Sequence, residues 1–346
     1  MYRRLSWFIR ARTPALGIIL LTIAQICSAQ YAPATPPVAN PADKRFVGVE
    51  EDWTTPALTG SKLKPAPPLI APISDFPGYT VELLQVQWRF GDPLDLYVIK
   101  PKGIKRPPVI LYLYSYPTDT DDFKSEAWQR AVTKEGFAAV GFVTALTGHR
   151  YHDRPMREWF LSELQECLAV SAHDVQMVLN YLATRDDLDM NRVGMFAEGS
   201  GATVGILASA VDPRIKALDI VAPWGDWPTW FTTSPFVPKE ERADYAKPEF
   251  LKKAAALDPV DWLPKVQARK IRLQDMTFDT TTPKAAKERL RGAVPASATV
   301  AIFSTPEEFN AARNHNKVMA WLWSELRAMP GPAPDSRAAL QNQVGR

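Results

Sequence analysis

From Tyr79 onward the chain alternates continuous apolar runs with segments whose apolar residues recur at helical spacing. Residues 81–90 and 94–99 read as two strands, with Gly91, Asp92 and Pro93 as the hairpin turn between them. Residues 109–116 and 137–145 are almost wholly apolar, as expected of strands covered on both faces. Further strands are predicted over 192–196, 215–221, 272–276 and 300–303. Helices are predicted over 127–134, where Gly136 follows as a terminator, and over 174–182, 202–210, 285–290 and 318–326. Strands alternating with helices predict an α/β fold: a mostly parallel central sheet flanked by helices on both faces.

Three stretches break that rhythm. Residues 30–78 are rich in proline, which removes backbone donors and fixes φ, so they predict an extended arm ahead of a domain spanning 79–330. Trp53 and Leu58, with Phe46 and Val47, are apolar anchors by which the arm could lie across the body. Residues 224–264 interrupt the alternation after a central strand, and Trp224, Trp227, Trp230, Phe231 and Phe236 crowd their first part. Such an insertion predicts a cap over a pocket, or aromatics that only fasten the insertion to the core. Residues 331–346 read as a tail.

The first 29 residues combine Arg3, Arg4, Arg10 and Arg12 with an apolar stretch over 15–26 and the small residues Ser28 and Ala29. That pattern predicts a signal peptide and export, to the periplasm or beyond the cell. The apolar stretch is short of the roughly 20 residues a membrane span needs, so no stable membrane insertion is expected after cleavage. The whole chain carries +3, and losing a leader with four arginines and no acid leaves −1. Nucleic acid is therefore not an expected partner. Cys167 is then the one remaining cysteine, which excludes an intramolecular disulfide and fits a small buried apolar role.

The most informative run is Arg192-Val193-Gly194-Met195-Phe196-Ala197-Glu198-Gly199-Ser200-Gly201-Ala202, at the junction of a predicted strand and helix. Its order and spacing resemble the α/β-hydrolase superfamily, in particular the dienelactone-hydrolase and acetyl-xylan-esterase-like members, over roughly residues 81–328. In that family the strand ends in G-x-S-x-G, a sharp turn flanked by small residues two positions to either side of the nucleophile. Gly199 as the turn residue has Ala197 and Gly201 as flanks, both small; Ser200 would have Glu198 and Ala202. Packing therefore puts Gly199 at the apex and Ser200 one step into the helix, a displaced nucleophile motif.

The resemblance implies an acid at Asp279, just after a strand, and a base at His315, between the last strand and the closing helix. It implies an oxyanion hole built from backbone near Gly199, Ser200 and Gly201 and from Tyr116 in the Tyr114-Ser115-Tyr116-Pro117 loop. Trp224 and Trp227 are candidate pocket residues. The resulting expectation is a serine hydrolase of ester or related acyl substrates, with Ser200, Asp279 and His315 as its catalytic residues. A catalytically degenerate member that binds a small ligand is the alternative. Water activation by Glu198 or Asp226 with His315 is a third route, and Asp226 is also an alternative acid. Residues 148–154, with His149, His152 and Asp153, could suggest a metal site, but no further ligand cluster is visible, catalytic zinc needs at least three well-placed ligands, and the run reads as a loop. No cofactor or metal is expected.

Overall fold

The computed structural model describes residues 51–89, 91–117, 121–146, 161–315 and 317–331, all within one unit that begins at Gly48. The leader, the first part of the proline-rich segment, Phe90, the 148–154 run and the tail beyond 331 lie outside the described residues.

The described residues contain a ten-stranded mixed sheet. Its strands are β1 (Leu69–Ile70), β2 (Ser74–Phe76), β3 (Tyr79–Gln87), β4 (Pro93–Pro101), β5 (Pro108–Leu113), β6 (Ala138–Phe142), β7 (Asp189–Glu198), β8 (Ile215–Val221), β9 (Lys270–Met276) and β10 (Thr299–Phe303). The order is β1-β3-β4-β6-β5-β7-β8-β9-β10, with β2 paired to β3. Pairs β6/β5, β5/β7, β7/β8, β8/β9 and β9/β10 are parallel, while β1 to β4 and the β4/β6 junction are antiparallel.

Strand β5 shows why the apolar runs form this sheet. Val109, Leu111 and Leu113 enter one core layer while Ile110 and Tyr112 enter the other, so every residue of the run is buried. The first layer is covered by α3 (Leu164–Leu182) and α4 (Ser200–Val211). The second is covered by α1 (Asp121–Lys124), α2 (Glu126–Thr133), α10 (Pro306–Asn314) and α11 (Lys317–Ala328). Between β8 and β9 the chain forms α5 (Trp227–Thr233), α6 (Arg242–Tyr245), α7 (Pro248–Ala255) and α8 (Pro259–Trp262), and α9 (Lys284–Ala293) joins β9 to β10. No helix among the described residues is long and apolar enough to cross a membrane.

Residues 51–77 run across the body. Leu58 and Leu63 pack on the first core layer, and β1 and β2 pair with β3. The largest departure from the pattern-based expectation is α10, a nine-residue helix standing between the last strand and His315. Its capping box is in the sequence. Thr305 Oγ1 accepts from Glu308 N–H, and the Glu308 carboxylate accepts from Ser304 N–H.

Strand β5 lies between β6 and β7, so consecutive crossovers leave it in opposite directions. The crevice above the carboxyl ends of β5 and β7 is the switch point where open α/β sheets bind ligands.

Candidate functional site

Two chain segments meet at that switch point. Strand β7 ends at Glu198, and Gly199 turns the chain into α4 with φ 57° and ψ −122°, a region that disfavours any side chain. Gly199 N–H donates to Val221 O at 2.9 Å, which ties the turn to β8. Gly201 allows the end of β5 to pass close by, because a Cβ there would lie 2.5 Å from Leu113 O.

The residues after β5 complete the corner. A Cβ on Gly199 would lie 2.3 Å from Ser115 Oγ and 2.6 Å from Ser115 Cβ, so the Ser115 side chain fills the space above the apex. Ser200 N–H donates to Ser115 Oγ at 3.4 Å, and Tyr116 N–H donates to Ser200 Oγ at 2.9 Å. Two hydroxyls and two backbone N–H groups therefore converge at one corner. Ser200 is 1% exposed, whereas Ser115 and Tyr116 are half-buried. The indole nitrogen of Trp224 lies 3.5 Å from the same virtual Cβ, and its ring stacks on Trp230 with centroids 5.3 Å apart. Trp227 is held inside the insertion, its backbone N–H on Asp258 and its indole N–H on Leu257 O.

Asp279 lies just after β9, half-buried, and its carboxylate accepts from Thr281 N–H at 3.1 Å and Thr282 N–H at 3.4 Å. His315 ends α10, exposed, with Nδ1 2.6 Å from Ala311 O. That contact suits an Nδ1–H donor and leaves Nε2 as the acceptor nitrogen. The chain just beyond His315 is pinned, since Gln274 Nε2 donates to Val318 O at 3.0 Å and Arg272 donates to the same carbonyl. The structure does not join Asp279 and His315 by a hydrogen bond; each satisfies itself locally. Asp226, the alternative acid, is fully buried at φ 55°, with Oδ1 on Arg289 at 2.7 Å and Oδ2 without a partner among the described residues.

Glu198, one residue before the apex, has its carboxyl pushed above the usual range, first by burial. Arg313 at the end of α10 opposes that rise, and the charges of Asp122 and Asp279 add to it. Asp122 is likewise raised by burial, with Arg313 opposing. The ends of α10 and β9 and the start of α1 thus bring their charges around the β7 corner. Among the described residues, no group of three or more His, Cys, Asp or Glu side chains could hold a metal ion. Cys167 is buried in α3.

Sequence reasoning quoted Ser115 only as a loop residue beside Tyr116, and passed over Asp122 and Arg313. The available signal for Ser115 was its place two residues after the central strand β5.

No protein-family model matches this chain, and neither does any curated protein sequence. Solved structures do resemble it. An acetyl xylan esterase from Thermoanaerobacterium sp. JW/SL YS485 superposes with a TM-score of 0.62 at 13% identity, covering 78% of this chain and 89% of that one. An acetyl xylan esterase from Paenibacillus sp. R4 gives 0.55 at 15% identity, covering 74% and 89%. An S-formylglutathione hydrolase from Agrobacterium tumefaciens gives 0.55 at 13% identity, covering 74% and 99%. At these identities the likeness is one of fold.

Proposed function

We propose that this chain, which has the α/β-hydrolase fold, hydrolyses small carboxylic esters at the carboxyl ends of β5 and β7. The observation that carries the reading is the convergence of the Ser115 and Ser200 hydroxyls with the Ser200 and Tyr116 N–H groups at the Gly199 turn. Acyl transfer needs a hydroxyl nucleophile beside N–H donors that can hold an oxyanion, and this corner supplies both types of group. The acetyl xylan esterases and the S-formylglutathione hydrolase with this fold lend the substrate class, an ester or thioester of a small acyl group.

In this reading His315 is the general base. The Ala311 carbonyl at Nδ1 fixes the tautomer that leaves Nε2 ready to accept a proton, a task an aspartate performs in a serine triad. Asp279 contributes negative charge near the corner rather than a hydrogen bond to the imidazole. The protein works outside the cytoplasm once its leader is removed. Cell fractionation of the full-length chain, with the mature N-terminus read by mass spectrometry, checks that part.

Purified protein assayed on nitrophenyl acetate and methylumbelliferyl acetate is expected to show saturable turnover that a fluorophosphonate probe abolishes. His315→Ala is expected to lower kcat by about 10²–10⁴-fold, the usual worth of a general base. Folded protein with no turnover above buffer and no labelling would end the hydrolase reading. A second reading, ligand binding without hydrolysis, is favoured by the burial of Ser200 and by the unjoined Asp279 and His315. That same negative result is the one it expects.

A further inference from the structure

We infer that Ser115, two residues beyond the end of β5, carries the nucleophilic oxygen in place of a residue on the β7–α4 turn. The inference rests on the hydrolase reading and decides between the two hydroxyls at the corner. In a strand-turn-helix elbow the nucleophile projects from the apex, and here the apex residue is Gly199, with nothing to project. The volume such a side chain would fill is occupied from the other segment, because Ser115 Oγ lies 2.3 Å from the Cβ that Gly199 lacks. Gly199 and Ser115 are complementary for a steric reason: one slot holds one side chain.

Ser200 is poorly placed by comparison. The residue is 1% exposed, and its oxygen accepts the Tyr116 N–H, which turns it into the wall behind the corner. Its backbone serves better than its hydroxyl. The first N–H of α4 donates to Ser115 Oγ at 3.4 Å, so it is a donor close to the carbonyl whose oxygen becomes the oxyanion when that hydroxyl attacks.

The reaction balances without any co-reactant beyond water. In the hydrolase reading Ser115 Oγ, which donates to Tyr116 O at 3.3 Å before substrate binds, bonds to the ester carbonyl carbon, its proton passes to the base that reading assigns to His315, and the carbonyl oxygen becomes the oxyanion. Collapse breaks the ester C–O bond, and the departing alcohol takes the proton from the imidazolium. Water then attacks acyl-Ser115, releasing the carboxylic acid and restoring the hydroxyl.

The test is peptide mapping of the fluorophosphonate adduct on the full chain, in the wild type, Ser115→Ala and Ser200→Ala. The expected adduct lies on Ser115, persists there in Ser200→Ala and vanishes in Ser115→Ala, whose kcat/KM falls roughly 10³-fold or more. Ser115→Cys guards against a misfolded alanine variant: a thiol in the slot is expected to react with iodoacetamide, while buried Cys167 stays unmodified. An adduct on Ser200, or turnover that survives Ser115→Ala, overturns this assignment and leaves the hydrolase reading standing. Absence of any serine adduct and of any turnover removes both.

Discussion

Two groups of acidic side chains in this molecule are treated in opposite ways. Beneath α3, Glu51 and Asp174 share Arg89: its Nε and Nη2 donate to Glu51 at 2.7 and 2.5 Å, and its Nη1 donates to Asp174 at 2.5 Å. Trp88 Nε1 adds a bond to Asp174 at 2.6 Å, and His173 contacts Glu51 through Nδ1 and Thr55 O through Nε2. Each acid there faces a cation or a ring N–H. At the β7 corner, the Glu198 carboxyl has no hydrogen-bond partner among the described residues, and the charges acting on it are one cation, Arg313, against two acids, Asp122 and Asp279. The first arrangement fixes one geometry. The second leaves a carboxyl whose burial favours the protonated form, a kind of perturbed group that clusters at functional sites.

The largest loss is expected when the paired cluster is unbalanced. Arg89→Met leaves the buried carboxylates of Glu51, Asp174 and Asp92 without their shared cation, and removing one partner of a buried pair costs about 3–5 kcal/mol. In a chain of this size that is a fall in Tm of roughly 10 °C. Burial raises the Glu51 pKa, but the hydrogen bonds from Arg89 and His173 outweigh it, and the net shift is downward from 4.5. A depressed carboxyl stabilises the fold above its ordinary pKa, and that stability is lost as pH falls through the depressed value. The wild type should therefore lose stability below about pH 4.5 while Arg89→Met loses less. Thermal melts of both proteins at pH 7 and pH 3 check this; equal Tm values at pH 7 would show that the cluster fixes nothing.

The next effect concerns the corner. Gly199→Ser puts a side chain into a slot already holding Ser115 and into a backbone region that disfavours it, two costs of about 1–3 kcal/mol each. Adding Ser115→Gly removes the packing cost and leaves the backbone strain, so the double variant should recover part of the lost Tm. It also moves a hydroxyl from the β5 segment to the apex. Acetate-ester turnover in the double variant, against none in Gly199→Ser, would show that the slot matters more than the segment filling it. A double variant no more stable than Gly199→Ser would refute the steric account.

Much of the sheet was legible because its central strands are covered on both faces, which writes continuous apolar runs into 109–113 and 138–142. Strands β1 and β2 were not, since Leu69, Ile70, Ser74 and Asp75 are exposed and leave no alternation to read. Helix α10 buries only Phe309 and Ala312, too few for periodicity, although Thr305 and Glu308 spell its capping box. At the site, the reading of Gly199 as the turn residue came from local steric rules, which need only its immediate neighbours. Ser115 is 84 positions from Gly199, and no local rule records that their side-chain volumes coincide.

The smallest effect sharpens the comparison from the other side. Because the Glu198 carboxyl is raised above 4.5, the folded chain binds its proton more tightly than the unfolded chain. Stability therefore falls as pH rises from that ordinary value through the raised one, and the loss persists at higher pH. Glu198→Gln removes the ionisable group and keeps the shape, so it should stabilise the protein at pH 7, where the native carboxyl must ionise against its burial. The gain in Tm should shrink at pH 4, where the native carboxyl is protonated. Melts of the two proteins at both pH values decide it. A loss of stability at pH 7 would mean that Glu198 is held as a carboxylate by Arg313, and the corner would then resemble the paired cluster it is set against.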